Sequence, residues 1–182
     1  LTSMFLQCVT GAVVRDCVID RGAGGAPWGT AAIHLQLARD VLLEDVTISR
    51  IPHTGVSDEC GIDFETDVRG CVIRRCTFAD NAGAGIEFLA NFEMSPFAAS
   101  RDVTIEDCRF LRNNWARIDD DPGQIHIKLW QHDNCPVVAV RRCAHEEPEG
   151  VRFIGGDGLL SRLIVEDDRP LCAVAEERSC AG

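Results

Sequence analysis

Apolar and polar positions recur along this chain in blocks. Residues 12–19, 41–48, 71–78 and 103–110 share one order: apolar, any, apolar, two charged residues, Cys or Val, any, apolar. Two weaker copies follow, at 138–145 around Cys143 and at 158–165 around Leu163. The steps between the Cys-equivalent positions 17, 46, 76, 108, 143 and 163 are 29, 30, 32, 35 and 20 residues, so the motif persists while its spacing varies. Stacked coils with loops of unequal length produce that pattern. Each half of the motif alternates with period two, as a strand does, and the charged pair between the halves reads as a tight outward corner. A further alternating run precedes each unit, at 33–37, 62–65, 86–88, 125–129 and 151–153.

Three short strands per coil predict an all-β fold, a right-handed parallel β-helix of about six coils filling residues 1–182 as one domain. Inward residues of successive coils then stack about 4.8 Å apart. Cys17, Cys76, Cys108 and Cys143 fall on one such ladder and are expected to be buried free thiols, since small apolar thiols pack well there. Cys8, Cys60, Cys71, Cys135, Cys172 and Cys180 have no clear place, and a disulfide between two loop cysteines stays open. The sequence holds no Cys-x-x-Cys and no Cys/His cluster at zinc spacing.

The block Gly61 to Glu65, then Cys71 to Asn81, then Ala84 to Glu87 resembles right-handed parallel β-helix proteins of the pectate-lyase-like superfamily. The resemblance extends from about Met4 to Val165. It implies the fold more than an activity, because that superfamily includes polysaccharide lyases, glycoside hydrolases, epimerases and non-catalytic adhesins. It further implies a secreted or cell-surface setting, and an active site on the outer face of the sheet carrying the Gly-Ile-x-Phe strand. Such helices cover their terminal coils, and nothing before Met4 is long enough for that. Either a longer chain supplies flanking coils or the ends associate.

With the first strands in register, their outward residues form two columns. One runs His34, Asp63, Glu87, His126, Arg152; the other Gln36, Glu65, Leu89, Lys128, Ile154. Carboxylates on adjacent coils lie about 5 Å apart, near the ~5–5.5 Å of retaining glycosidases and short of the ~6.5–9.5 Å that admits an inverting water. Asp63 and Glu87 form that pair, and their mutual repulsion should leave one protonated beside an ionised neighbour. Glu65 adds a third acid. His34, Gln36, Glu65, His126, Lys128 and Arg152 are candidates for binding sugar hydroxyls or a uronate. In the β-helix β-xylosidases an Asp nucleophile and a Glu acid/base lie on neighbouring coils, which by resemblance makes Asp63 the nucleophile and Glu87 the acid/base.

Two alternatives share this face. A polysaccharide lyase would use Lys128 or His126 as base, with Arg152 or Ca²⁺ neutralising the substrate carboxylate. A surface or glycan-binding β-helix would carry the same charges simply as solvated pairs. Trp28, Trp115 and Trp130, with Phe92 and Phe97, fall in or beside the long connections, where aromatic rings either stack on sugars or anchor the loops. Trp130 is the aromatic assigned to substrate binding. The run Asp119, Asp120, Asp121, Pro122, Gly123 reads as a turn first and as a Ca²⁺ loop second.

Composition narrows the partners. Apolar residues make up 46% and charged residues 26% of 182, a globular mix, and no apolar run approaches the ~20 residues of a membrane span. A net charge of −11 repels phosphate backbones and anionic lipid, so a neutral or cation-bridged ligand is easier to hold, and the resemblance implies an oligo- or polysaccharide. There is no dinucleotide fingerprint, Walker loop or Gly-x-Ser-x-Gly elbow.

Overall fold

A computed structural model describes residues 2–22, 29–90, 99–129, 135–157 and 162–171. Three parallel sheets of six strands each wind about one axis. The first sheet stacks Met4–Gln7, Thr30–Gln36, Asp58–Thr66, Ile86–Ala90, Gly123–Leu129 and Arg152–Gly156. The second stacks Val13–Arg15, Leu42–Glu44, Val72–Arg74, Val103–Glu106, Val137–Arg141 and Arg162–Glu166; the third, Val18–Asp20, Thr47–Ser49, Thr77–Ala79, Arg109–Leu111, Ala144–Glu146 and Arg169–Pro170. From the first strand of a sheet to its sixth the chain makes about five turns. Among the described residues there is no α-helix, hence none long and apolar enough to cross a membrane.

The charged pairs are the corners between the second and third sheets. The second member of each pair, at Asp16, Asp45, Arg75, Asp107, Arg142 and Asp167, has φ between 51° and 54°. One left-handed residue per coil turns the chain sharply, and Asp tolerates that region better than most residues. The same device recurs at the other corners, at Arg21, Arg50, Asp80 and Arg112, and at Gly11, Asp40, Gly70 and Asp102.

Between corners, alternation sends every second side chain inward. Ile33, Ile62, Ile86 and Ile125 register on one another, as do Leu35, Phe64, Phe88 and Ile127 beside them. Phe64 stacks on Phe88 at 4.5 Å and Phe78 on Phe110 at 5.0 Å, giving the core its largest buried surfaces. The cysteine ladder is present: Cys76, Cys108 and Cys143 are buried and not disulfide-linked. Cys17 is half-buried, because its coil is covered on one side only among the described residues. A second interior ladder, of amides, links Asn81 Nδ2 to Asn113 Oδ1 (2.8 Å) and Asn113 Nδ2 to Gln124 Oε1 (3.0 Å), closing the entry to the first sheet.

Candidate functional site

The outer face of the first sheet is built by strand register. Phe5, His34, Asp63, Glu87, His126 and Gly155 stand opposite one another in six consecutive coils. Asp63 and Glu87 are therefore direct neighbours on adjacent parallel strands, about 4.8 Å apart along the stacking direction. The expected column holds from His34 to His126 and fails at Arg152. That residue registers on Gly123, is 71% exposed and pairs with Asp121 at 3.1 Å, while Ile154 registers on Ile125. The slip has a steric origin: a Cβ on Gly155 or Gly156 would meet the backbone oxygens of Asp121 and Ile127 at 2.4 and 2.2 Å, so two glycines occupy this stretch and leave no alternation to read.

In the second column Gln36 registers on Thr66, with Glu65 as the extra residue of a bulge between Phe64 and Thr66. The bulge brings Glu65 beside Asp63, to which it is hydrogen-bonded. Gln36 accepts a hydrogen bond from Gln7 at 2.7 Å, and Leu89 registers on Lys128 as expected. Trp130, Trp28, Phe92 and Phe97 lie outside the described residues. Trp115 is 49% exposed, donates from Nε1 to the Asp80 carbonyl at 3.2 Å and meets the His53 ring edge-on.

Two loops bring in acids that the alternation does not reveal. The first ends at Asp58 and is pinned by buried Glu59, whose carboxylate accepts hydrogen bonds from the backbone of Thr54 and Gly55 and from the Thr54 hydroxyl, and faces His53 Nδ1 at 2.7 Å. Asp58 and Glu59 both have positive φ, which breaks the strand pattern in the sequence at that point. The second loop carries Asp119 and is held by buried Asn114, which donates to the Gly123 carbonyl and accepts from the Ile118 amide, each at 3.0 Å. Asp119 then reaches Lys128 Nζ at 2.9 Å and His126 Nε2 at 3.9 Å. Asp119 and Asp121 thus each face a cationic side chain, Lys128 and Arg152.

Five carboxyls thus gather on one face: Asp58, Asp63, Glu65, Glu87 and Asp119. Facing them is Lys128, the only lysine in the chain. Asp63, Glu87 and His126 are 4%, 2% and 3% exposed. Burial, then the charges of Asp58 and Asp63, drives the Glu87 carboxyl well above the usual carboxylate range. Burial and the Asp63 charge push Asp58 up to about 6 and Glu65 up to about 7. Burial lowers the His126 value and keeps that ring neutral. For His34 burial acts downward but is outweighed by its 2.9 Å contact with Asp63 Oδ2, and the net shift is upward. The Lys128 value is shifted upward, its desolvation outweighed by the surrounding acids, with Asp119 at 2.9 Å. Cys60, unplaced by the sequence, packs with Ala31 and Ala84 at the edge of this face, its thiol held far up by burial and the neighbouring acids.

Among the described residues six buried side-chain polar atoms have no hydrogen-bond partner. Four belong to this sheet: Thr30 Oγ1, Asp63 Oδ1, Glu87 Oε1 and His126 Nδ1. Buried polar atoms are satisfied almost everywhere in folded proteins, so their concentration on this sheet sets it apart from the rest of the coil.

Residues 1–134 match the family of right-handed β-helix regions. The chain belongs to that family. Its handedness agrees with the rule for parallel crossover connections, and the corner motif expected from the sequence is the repeating element of its coils. A comparison with curated proteins finds no match to the chain.

Proposed function

We propose that this β-helix protein is a glycoside hydrolase acting on an oligo- or polysaccharide by a retaining mechanism, with Asp63 as nucleophile and Glu87 as general acid/base. One observation carries the reading: two buried, unpartnered carboxyl oxygens, Asp63 Oδ1 and Glu87 Oε1, stand on directly opposed residues of adjacent strands. The ~4.8 Å between their strands is compatible with the ~5–5.5 Å carboxyl separation of a direct displacement. His34 holds Asp63 through Oδ2, leaving Oδ1 to attack. Glu87, protonated in its buried setting and hydrogen-bonded to Asp58, supplies the proton.

In the first step Asp63 Oδ1 bonds to the anomeric carbon as the glycosidic C–O bond breaks and the Glu87 proton passes to the leaving oxygen. In the second, Glu87 takes a proton from water, whose oxygen bonds to the anomeric carbon and releases Asp63. Lys128, His126 and Gln36 line the same face as hydrogen-bonding groups for sugar hydroxyls. Lyase chemistry is less well served, because Arg152 stands away from the face and Lys128 is engaged by Asp119.

The test is a panel of nitrophenyl glycosides and uronate polymers, read for chromophore release and for the absorbance of an unsaturated product. Chromophore release that disappears in Asp63→Ala and returns with azide, giving an inverted glycosyl azide, supports the reading. An unsaturated product would assign a lyase, and glycan binding without turnover would assign a binding module.

A further inference from the structure

The bulge that displaces Glu65 has a second result. It places His34, Asp63 and Glu65 so that one ligand atom from each lies within 4.8 Å of the others. Phe5 stacks on the His34 ring at 4.4 Å and 18°, fixing the plane of the imidazole. Asp63 turns Oδ2 to His34 at 2.9 Å and keeps its second oxygen, Oδ1, buried without a hydrogen-bond partner among the described residues. We propose that His34, Asp63 and Glu65 bind a divalent transition-metal ion of the zinc class, and that the bound ion occupies the carboxylate needed for attack and switches hydrolysis off.

The donor set selects the ion. One imidazole and two carboxylates with a position left open are donors that zinc accepts, at bonds of ~2.0–2.2 Å. Calcium takes roughly six to eight oxygens, and an imidazole nitrogen does not serve it. Asp58 and Asp119 against the single Lys128 leave a negative field around the trio that favours a divalent cation over a second organic cation. Only the inhibitory consequence rests on the hydrolase reading; the binding site does not.

The experiment is calorimetric titration of ZnCl₂ into the chelator-treated chain, without sugar, repeated with CaCl₂ and with His34→Ala and Glu65→Gln proteins whose strand-type circular dichroism is intact. One Zn²⁺ per chain is expected, with no Ca²⁺ binding at matched concentration. Each variant should weaken Zn²⁺ by at least the ~10–100-fold that even a supporting residue costs a metal site. Absence of a one-to-one Zn²⁺ event, or equal affinity in both variants, would overturn the site. Zn²⁺ binding in a protein that hydrolyses no glycoside would leave the site standing and remove the hydrolase; turnover indifferent to saturating Zn²⁺ would remove the switch.

Discussion

Two sets of outward charges ride on the same coil and are built on opposite principles. At the corners between the second and third sheets, acid and arginine alternate from coil to coil from Asp45 onward. Arg75 forks onto Asp45 at 3.0 and 2.9 Å and reaches Glu44 at 2.6 Å, and Arg142 forks onto Asp107 at 2.8 and 2.9 Å. Glu44, Asp45 and Asp107 are all held below the usual carboxylate range by those arginines. On the first sheet, carboxyls gather without enough cations, three of them shift upward, and buried oxygens go unpaired. The basic residues differ too. A planar guanidinium matches a carboxylate fork, whereas the single lysine supplies a point charge that several acids can share. Charges that serve the fold are neutralised locally; charges left uncompensated in a buried setting are what a site for chemistry requires.

The widest separation between the two regions should appear in turnover. Glu87→Gln is expected to lower glycoside hydrolysis by ~10²–10⁴-fold, the range attached to one general acid/base. Asp63→Asn should lower it at least as much, with strand-type circular dichroism unchanged in both. Arg75→Ala, at the corner, should leave hydrolysis where it was. Comparable losses at Glu87 and Arg75 would erase the distinction.

Removing the shared cation tests the same contrast through stability. Lys128→Met strands Asp119 at 2.9 Å, with Asp58 at 4.0 Å and Glu87 close by. Partial burial places the loss at ~1–3 kcal/mol, between that of an exposed pair and that of a fully buried one. Urea denaturation at neutral pH measures it. The added substitution Asp119→Asn should recover part of the loss, and a Lys128→Met protein as stable as the parent would show that the acids are already neutral as a group.

How much of this was readable depends on whether side chains alternate. The corner motif exposed the period, the inward ladder followed from Ile33, Ile62, Ile86 and Ile125, and the facing of Asp63 with Glu87 followed from counting by two. Where backbone geometry departs from alternation, counting fails. The Glu65 bulge, the positive φ values at Asp58 and Glu59 and the close approach at Gly155 and Gly156 each shift the register by a local contact. Asp58 and Asp119 were hidden for another reason: each is positioned by a single buried polar anchor, Glu59 or Asn114, whose role lies in three-dimensional hydrogen bonding and not in sequence spacing.

The pH dependence of stability should divide along the same line. Asp58, raised from 3.8 to about 6, and Glu65, raised from 4.5 to about 7, bind protons more tightly folded than unfolded. Their contribution is complete below their unfolded values and is lost as pH rises through 6 to 7. The corner acids Glu44, Asp45 and Asp107 have depressed values, so theirs is present above the unfolded values and is lost as pH falls through the depressed ones. Melting temperature should therefore fall between pH 5 and pH 8, and Glu65→Gln or Asp58→Asn should flatten that limb. A melting temperature that climbs steadily to pH 8 would mean that the face carries no excess negative charge.

The smallest effect belongs to the corner pairs themselves. Arg75→Ala removes a fork onto Asp45 and a contact with the largely covered Glu44, yet Arg75 and Asp45 are themselves open to solvent, where water and salt replace much of the attraction. The backbone corner does not depend on the pair, since the left-handed φ recurs at Asp16, whose neighbour in register is another aspartate. A slight fall in melting temperature is expected for Arg75→Ala at low ionic strength, shrinking further as salt approaches 1 M, while Lys128→Met keeps most of its loss in the same salt. Equal salt sensitivity at both places would show that the first-sheet cluster is as open to solvent as the corner, and the unpaired oxygens of Asp63 and Glu87 would then be ordinary hydrated carboxylates.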